Sequence, residues 1–240
     1  MTEAPIKRES VSDQLFAILR DRILGGHLPA DSALTAERDL AAEFGVNRHA
    51  VREAVKRLQQ ARLVEVSQGG RTRVLDWRTR AGLDLAFDVA RGNAVFTGLQ
   101  RDAMEMRACI GADAARLCAE RCPPEVAEAI AGAAADYGAT GADLAALDTA
   151  DVALWRLIVT GSGNLAYLLS FNTLVGGAVA SGEVPLVHRT AELLDVTVRR
   201  RLAELIAARD AQGAERVARE MLTRTVTAMT RATTDQGAGS

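Results

Sequence analysis

Basic and hydrogen-bonding side chains gather in one stretch of this chain, residues 35–74, at a spacing that suits contact with DNA. Arg48, His49 and Arg52 fall in the first turn and a half of a predicted helix, and Arg38 lies on the helix before it. Guanidinium groups neutralise phosphates and form bidentate hydrogen bonds to guanine edges. A helix that buries one face and presents such side chains at its N-terminal end has the geometry of a major-groove reader. These residues therefore predict a DNA-binding surface.

Two helices and a hairpin must position these side chains. An apolar pattern at helical spacing ends at Gly45, where a positive φ is tolerated, and Asn47 can cap the helix that follows. Residues 63–74 then read as two short strands around a Gly-Gly tip, which is typical of a basic wing hairpin. The pattern predicts a winged helix-turn-helix. The residues expected to contact DNA are Arg38, Asn47, Arg48, His49, Arg52, Gln68, Gly69, Arg71 and Arg73.

The same elements have a simpler interpretation as an ordinary packing unit, and His49 alone is equally well explained as an exposed helix position. The coincidence of arginines on both helices and on the hairpin favours DNA binding, because phosphate contacts need cations. The net charge of −2 argues against a protein that coats nucleic acid indiscriminately. We therefore expect the affinity for DNA to come from a local patch, presented twice in a homodimer.

The rest of the chain has the pattern of an all-helical domain. From Thr79 onward there is no strand-like alternation of any length, and a disordered tail is predicted from Thr233. Helices are predicted over residues 80–91, 94–121, 124–137, 141–161, 164–182, 186–209 and 211–232. The expected fold is mainly α. A winged helix-turn-helix domain spans 1–76, a linker 77–79, and an all-helical effector-binding and dimerisation domain of six to seven helices 80–240.

Several classes of function lack the residues they need. The chain has three histidines, two of them in the predicted DNA-binding domain, and no nucleophile elbow, phosphate loop or metal motif, so we do not expect an enzyme or a bound cofactor. Three cysteines on one predicted helix do not form a disulfide framework or a zinc site. No signal peptide or membrane-spanning stretch is predicted, and a cytoplasmic location is expected.

Residues 10–75 resemble the DNA-binding domain of the GntR family of bacterial transcription regulators. The resemblance rests on residues 34–41 (LTAERDLA), 45–48 (GVNR) and 51–54 (VREA), together with Leu58. It implies that Arg38, Arg48 and Arg52 contact bases and phosphates of a palindromic double-stranded operator. It also implies that Gly69 enters the minor groove at the tip of the wing.

The C-terminal half resembles the FadR subfamily of the same family, many members of which bind a metal through one aspartate and three histidines. The D-x-x-x-H motif of those members aligns with residues 151–155, so Asp151 is present but Trp155 replaces the first histidine. The other two histidine positions fall at Arg199 and Met221. One aspartate cannot hold a divalent cation by itself, so no metal is expected.

The resemblance implies an apolar effector pocket in the helical bundle, with a fatty acyl-CoA or fatty acid as the effector. Each apolar candidate is also explained as ordinary core, and Arg107 either pairs with an acidic residue such as Asp151 or holds an effector carboxylate or phosphate. A small organic or sugar acid held by Arg107 is the alternative effector, and a structural DNA protein without an effector is a further alternative. The candidate effector-binding residues are Met104, Arg107, Asp151, Leu154, Trp155, Leu168, Phe171, Leu174, Val175, Met221, Thr225 and Met229.

Overall fold

The computed structural model describes residues 10–66, 71–83, 85, 97–139, 141–181 and 186–237. For residues 97–100, 176–181, 186–188 and 232–237 the description covers the backbone only. The chain divides into two compact units, residues 1–95 and 96–240, and each unit is described separately below.

The first unit is a winged helix-turn-helix. Its elements are α1 (Val11–Leu24), α2 (Glu37–Phe44), α3 (Arg48–Gln60), β1 (Val64–Val66), β2 (Thr72–Val74) and α4 (Trp77–Arg80). Ser10 begins α1 with a capping box, in which its side chain accepts from the Asp13 backbone and the Asp13 carboxylate accepts from the Ser10 N–H. β1 and β2 pair antiparallel, with Val64 opposite Val74. Residues 31–34 hydrogen-bond to the edge of β2 that β1 leaves unpaired, so an extended segment flanks the hairpin on that side.

The core of the first unit lies where α1, α2 and α3 meet the hairpin. α1 packs on α3, and the apolar face of α3 is fully buried. Leu19, Val51, Leu58, Leu63 and Val74 each have no exposed surface. Burial of complete aliphatic side chains from helix and strand together fixes the hairpin against α3. The predicted linker at 77–79 forms the short helix α4, which Asp76 caps.

The second unit is an all-helical bundle. Its described helices are α5 (Thr97–Arg121), α6 (Pro124–Asp136), α7 (Leu144–Gly161), α8 (Leu165–Ser181), α9 (Leu186–Leu193), α10 (Val196–Ala207) and α11 (Ala211–Gly237). α11 runs along α5 as the most extensive helix pair, and α7 packs against α5, α6, α8 and α9. The core is rich in alanine on α5, which allows this close approach of helices. The expectation of a mainly α fold with six to seven helices in this unit is confirmed.

Two expectations about helix limits were wrong. The segment 186–209 was predicted as one helix, but it forms α9 and α10, because the Asp195 side chain accepts from the Val198 N–H and starts a new helix. The tail from Thr233 was predicted to be disordered, but α11 continues to Gly237. The predicted helix 80–91 lies largely outside the described residues. Within the described part of the chain, no helix combines the length and apolar character needed to cross a membrane.

Candidate functional site

The turn between α2 and α3 is built by two residues that the sequence singled out. Gly45 adopts φ 62°, a left-handed conformation that costs glycine little. The Asn47 side chain accepts a 2.8 Å hydrogen bond from the Ala50 N–H and so caps α3. Because the apolar face of α3 is buried, the helix presents Asn47, Arg48, His49 and Arg52 to solvent. These four predicted DNA-contacting residues therefore lie on one accessible surface.

Carboxylates pair with three of the predicted DNA-contacting arginines, Arg52 of this surface and Arg38 and Arg73 elsewhere in the unit. Arg38 Nε lies 3.0 Å from Asp39 Oδ1, and Arg52 Nε lies 3.4 Å from Glu37 Oε2. On the wing, Arg73 Nη2 lies 2.5 Å from an oxygen of Asp31. All three arginine side chains are more than half exposed, so their pairs are solvent-screened and exchangeable. Arg71 is exposed as well, whereas Gln68 and Gly69 lie outside the described residues.

In the second unit, a mainly apolar cavity of about 90 Å³ lies between α5, α7, α8, α9 and α11. Seven of the predicted effector-binding residues line it: Met104, Arg107, Asp151, Trp155, Phe171, Leu174 and Val175. Seven lining residues were not predicted: Ile110, Gly111, Asp148, Val152, Val159, Arg189 and Leu222. The cavity therefore has a mainly apolar wall and one charged end, which is formed by Arg107, Asp148, Asp151 and Arg189.

A glycine shapes one wall of this cavity. A Cβ at Gly111 would lie 2.4 Å from Leu222 Cδ1 and 3.5 Å from the Trp155 ring. The missing side chain makes room for Leu222 of α11, whereas the indole would stay at ordinary van der Waals distance from an added Cβ. The position of the Leu222 side chain at the cavity wall therefore depends on a residue without a side chain.

The other five predicted effector-binding residues do not line the cavity. Leu154 and Met221 are fully buried core residues, and Leu168 packs against the same core. Met229 is buried too. Thr225 is buried and donates a 2.5 Å hydrogen bond to Glu192, which pairs with the cavity-lining Arg107. Thr225 therefore contacts the charged end of the cavity indirectly, through Glu192.

The charged end of the cavity is a network of buried ion pairs. Arg107 binds Glu192 with both guanidinium nitrogens, at 2.6 and 3.0 Å, and lies 3.5 Å from Asp151. Arg189 binds Asp151 at 2.6 Å and also pairs with Asp148. Because Arg107 and Arg189 face it, the Glu192 carboxyl has its pKa lowered to about 2 despite its burial. The acidic partner of Arg107 is thus chiefly Glu192, which the sequence did not indicate, rather than Asp151.

Arg199 completes the network from α10. Its Nε and Nη2 lie 3.0 and 2.7 Å from one oxygen of Asp151, and its Nη1 donates to the backbone carbonyls of Glu192 and Asp195. The guanidinium also stacks 4.2 Å from the centre of the Tyr137 ring. A fully buried cation therefore faces Asp151 from the position that the resemblance assigns to a histidine ligand.

The residues present do not fit a bound metal at this place. Trp155 and Met221 offer no ligand that suits a hard or borderline divalent cation, and a guanidinium already occupies Asp151. Among the described residues, no group of three or more histidine, cysteine, aspartate or glutamate side chains is arranged to hold a metal. The side chain of His188, the histidine of the second unit, lies outside the described residues.

Comparison with known proteins agrees with this division into two functional units. Residues 11–74 match the bacterial regulatory proteins of the gntR family, and residues 102–224 match the FCD domain. The chain is 33% identical over 232 residues to the HTH-type transcriptional regulator Mce2R of Mycobacterium tuberculosis, covering 92% of each chain. It is 28% identical over 207 residues to the fatty acid metabolism regulator protein of Edwardsiella ictaluri, covering 85% of this chain and 84% of that one.

The solved structure of Lar, which controls expression of the Listeria monocytogenes agr system, has the same fold. It superimposes with a TM-score of 0.58 at 16% identity, covering 94% of this chain and 99% of that chain. A winged helix that displays arginines, joined to a helical unit with an internal cavity, defines a transcription regulator that contains its own effector-binding domain. The chain belongs to the GntR family of such regulators and carries an FCD domain. Its FadR-like character is supported by the fatty acid regulators among its relatives.

Proposed function

We propose that this regulator binds a palindromic operator as a homodimer and that a fatty acyl-CoA or fatty acid in the cavity of the second unit modulates that binding. The observation that carries the proposal is the cavity itself, which has an apolar wall and a charged end. An amphipathic ligand with a long apolar part and one polar group matches such a lining. Relatives named as fatty acid metabolism regulators favour control of genes for lipid metabolism.

Coupling between ligand and DNA requires a difference in affinity between two states of the protein. A ligand that binds one arrangement of the two DNA-binding units better than the other shifts the population toward that arrangement. The ion-pair network joins α5, α7, α9 and α10 beside the cavity, so an occupant that displaces any of its members would move several helices together.

A small organic or sugar acid is the second candidate effector. The observation in its favour is the size of the cavity, since about 90 Å³ is well below the several hundred Å³ usual for drug-sized ligands. A long acyl chain therefore needs side chains around the cavity to move. Arg107 as the carboxylate-binding group would first have to exchange its bidentate contact with Glu192.

The test is fluorescence anisotropy of labelled promoter DNA bound to the purified protein, titrated with long-chain acyl-CoA, the free fatty acid and small carboxylates in parallel. Val175→Phe narrows the cavity, and Leu169→Phe makes a comparable change at an exposed position of the same helix. We expect acyl-CoA or fatty acid to release the wild-type protein and Leu169→Phe from DNA but to act weakly on Val175→Phe. Release by small acids alone would replace the lipid with the second candidate.

A further inference from the structure

Two buried N–H groups at the cavity have no hydrogen-bond partner among the described residues. They are Nε1 of the Trp155 indole and Nε of the Arg189 guanidinium. Trp155 is 4% exposed and the Arg189 side chain 11% exposed, so both donors are largely shielded from bulk solvent. Buried donors in folded proteins are nearly always satisfied, and an exception calls for an explanation.

Both donors belong to side chains that line the same cavity. The other two nitrogens of Arg189 are already engaged, Nη1 with Asp148 and Nη2 with Asp151 and Glu192. Nε is the one nitrogen of that guanidinium with no acceptor among the described residues. The indole of Trp155 has no other polar atom, so its single donor is also still available.

The charges around the cavity are already balanced. Arg107, Arg189 and Arg199 face Asp148, Asp151 and Glu192, which gives three cations and three carboxylates among the described residues of the network. A ligand carboxylate would bring an additional negative charge into an interior where such charges are costly. An uncharged acceptor satisfies the two donors without disturbing this balance.

We propose that the N–H groups of Trp155 Nε1 and Arg189 Nε form a subsite of two hydrogen-bond donors. This subsite binds the uncharged carbonyl oxygen of an ester, thioester or amide in preference to a carboxylate. The acyl chain of that ligand lies against the apolar side chains of Met104, Phe171 and Leu174. This inference rests on the proposed function, since it takes the cavity to be the effector site. It distinguishes an esterified or thioesterified acyl group from the free acid of the same chain.

The test compares two probes of equal chain length, methyl decanoate and decanoate, by titration calorimetry. The protein carries Trp77→Phe, so Trp155 is its remaining tryptophan and its fluorescence reports on the indole. We expect the ester to bind about tenfold more tightly than the carboxylate, because the carboxylate brings an uncompensated charge into the site. We also expect the emission of Trp155 to move to longer wavelength as the indole N–H gains an acceptor.

The variant Trp155→Phe removes one donor and keeps an aromatic ring at the cavity wall. Compared with Trp77→Phe, we expect it to bind the ester about fivefold to tenfold more weakly, which corresponds to one lost hydrogen bond. Thermal unfolding of each variant verifies that the bundle is folded. If Trp155→Phe does not fold, the shift in Trp155 emission of the Trp77→Phe protein on ester binding is used to test the subsite instead.

Three further results would overturn the inference, and they separate it from the proposed function. Equal or tighter binding of decanoate would overturn the carbonyl subsite while a lipid effector remained. An emission spectrum that does not change at saturating ester would do the same. If neither probe binds and acyl-CoA does not release the protein from DNA, the proposed function fails together with the inference.

Discussion

At the scale of single residues, the DNA-binding surface combines free and paired arginines. Arg48 is exposed near the start of α3 and has no partner among the described residues, whereas Arg52 and Arg38 rest on the carboxylates of Glu37 and Asp39. A paired guanidinium must exchange its carboxylate for a phosphate or a base on binding DNA. Arg48 needs no such exchange, so its substitution should affect the affinity for DNA differently from substitution of Arg38 or Arg52.

Arg48→Ala should weaken operator binding by about 1–3 kcal/mol, if the guanidinium contacts a base edge in the major groove. Anisotropy with the labelled operator measures the loss, and circular dichroism verifies the fold. Arg216→Ala is a matched control, because it removes an exposed arginine from α11 in the other unit. An affinity equal to that of the control would contradict the assignment of Arg48.

Glu37→Gln should raise operator affinity a few-fold at low salt, because it removes a negative charge near the DNA and releases Arg52 from its carboxylate. Titrations at several salt concentrations check the electrostatic origin, since the gain should fade as salt rises. A lower affinity would mean that Glu37 instead holds Arg52 in its binding conformation.

Glu192 links stability to acid pH. Its pKa in the folded protein, about 2, lies below the ordinary value of 4.5, so its contribution is complete above about pH 4.5 and is lost as the pH falls toward about 2. Glu192→Gln should therefore show a flatter loss of unfolding free energy between about pH 4.5 and pH 2 than the wild type. Urea unfolding at each pH measures this, with the exposed Glu125→Gln as the control. Parallel curves for the wild type and Glu192→Gln would contradict it.

At the scale of helices, Arg199 joins parts of the bundle that are far apart in sequence. It connects Asp151 on α7, the carbonyls at the end of α9 and the ring of Tyr137 after α6. The Tyr137 hydroxyl donates to the Leu193 carbonyl, which fastens the same end of α9 a second time. Arg199 and Tyr137 thus hold the junction between α9 and α10, at which the Asp195 cap starts the second helix.

Arg199→Ala should lower the free energy of unfolding by about 3–5 kcal/mol, because it leaves the Asp151 carboxylate buried with fewer partners. Tyr137→Phe should cost only about 1 kcal/mol, the value of one hydrogen bond. Chemical denaturation measures both. A loss for Arg199→Ala no larger than that for Tyr137→Phe would mean that Arg107 and Arg189 suffice to neutralise Asp151.

Local signals predicted the first unit well, and tertiary contacts limited prediction in the second. Gly45 and Asn47 act on their own turn, so the sequence alone located α2 and α3. Arg189 carries no local signal of its role, because its partners Asp148 and Asp151 come from another helix about forty residues away. The predicted helix over 186–209 misses the break at Asp195, because aspartate occurs on exposed helix faces as well as at helix starts.

At the scale of the whole molecule, the proposed homodimer makes a geometric prediction about its operator. Two DNA-binding units related by a twofold axis must meet half-sites on one face of the duplex. Inserting about five base pairs between the half-sites turns them to opposite faces and should reduce binding to that of a single half-site. Anisotropy with the altered operator measures this. Unchanged affinity would contradict a rigid pair of DNA-binding units.

Removal of metal ions should leave the protein unaffected. With the Arg199 guanidinium on Asp151, we expect the midpoint of thermal unfolding to be the same before and after dialysis against a chelator. Differential scanning calorimetry with and without added zinc provides the comparison. A clear fall in the unfolding midpoint after dialysis would show that the protein does bind a stabilising metal ion.

The arginine on Asp151 also constrains how this lineage can evolve. A mutation that placed histidine at Trp155 or Met221 would not by itself create a metal centre, because the guanidinium of Arg199 would still fill the coordination sphere and repel an incoming cation. Loss of the arginine first would leave a buried anion and an unstable intermediate. Creation of a metal centre here therefore requires several substitutions in a restricted order, and no single substitution provides it.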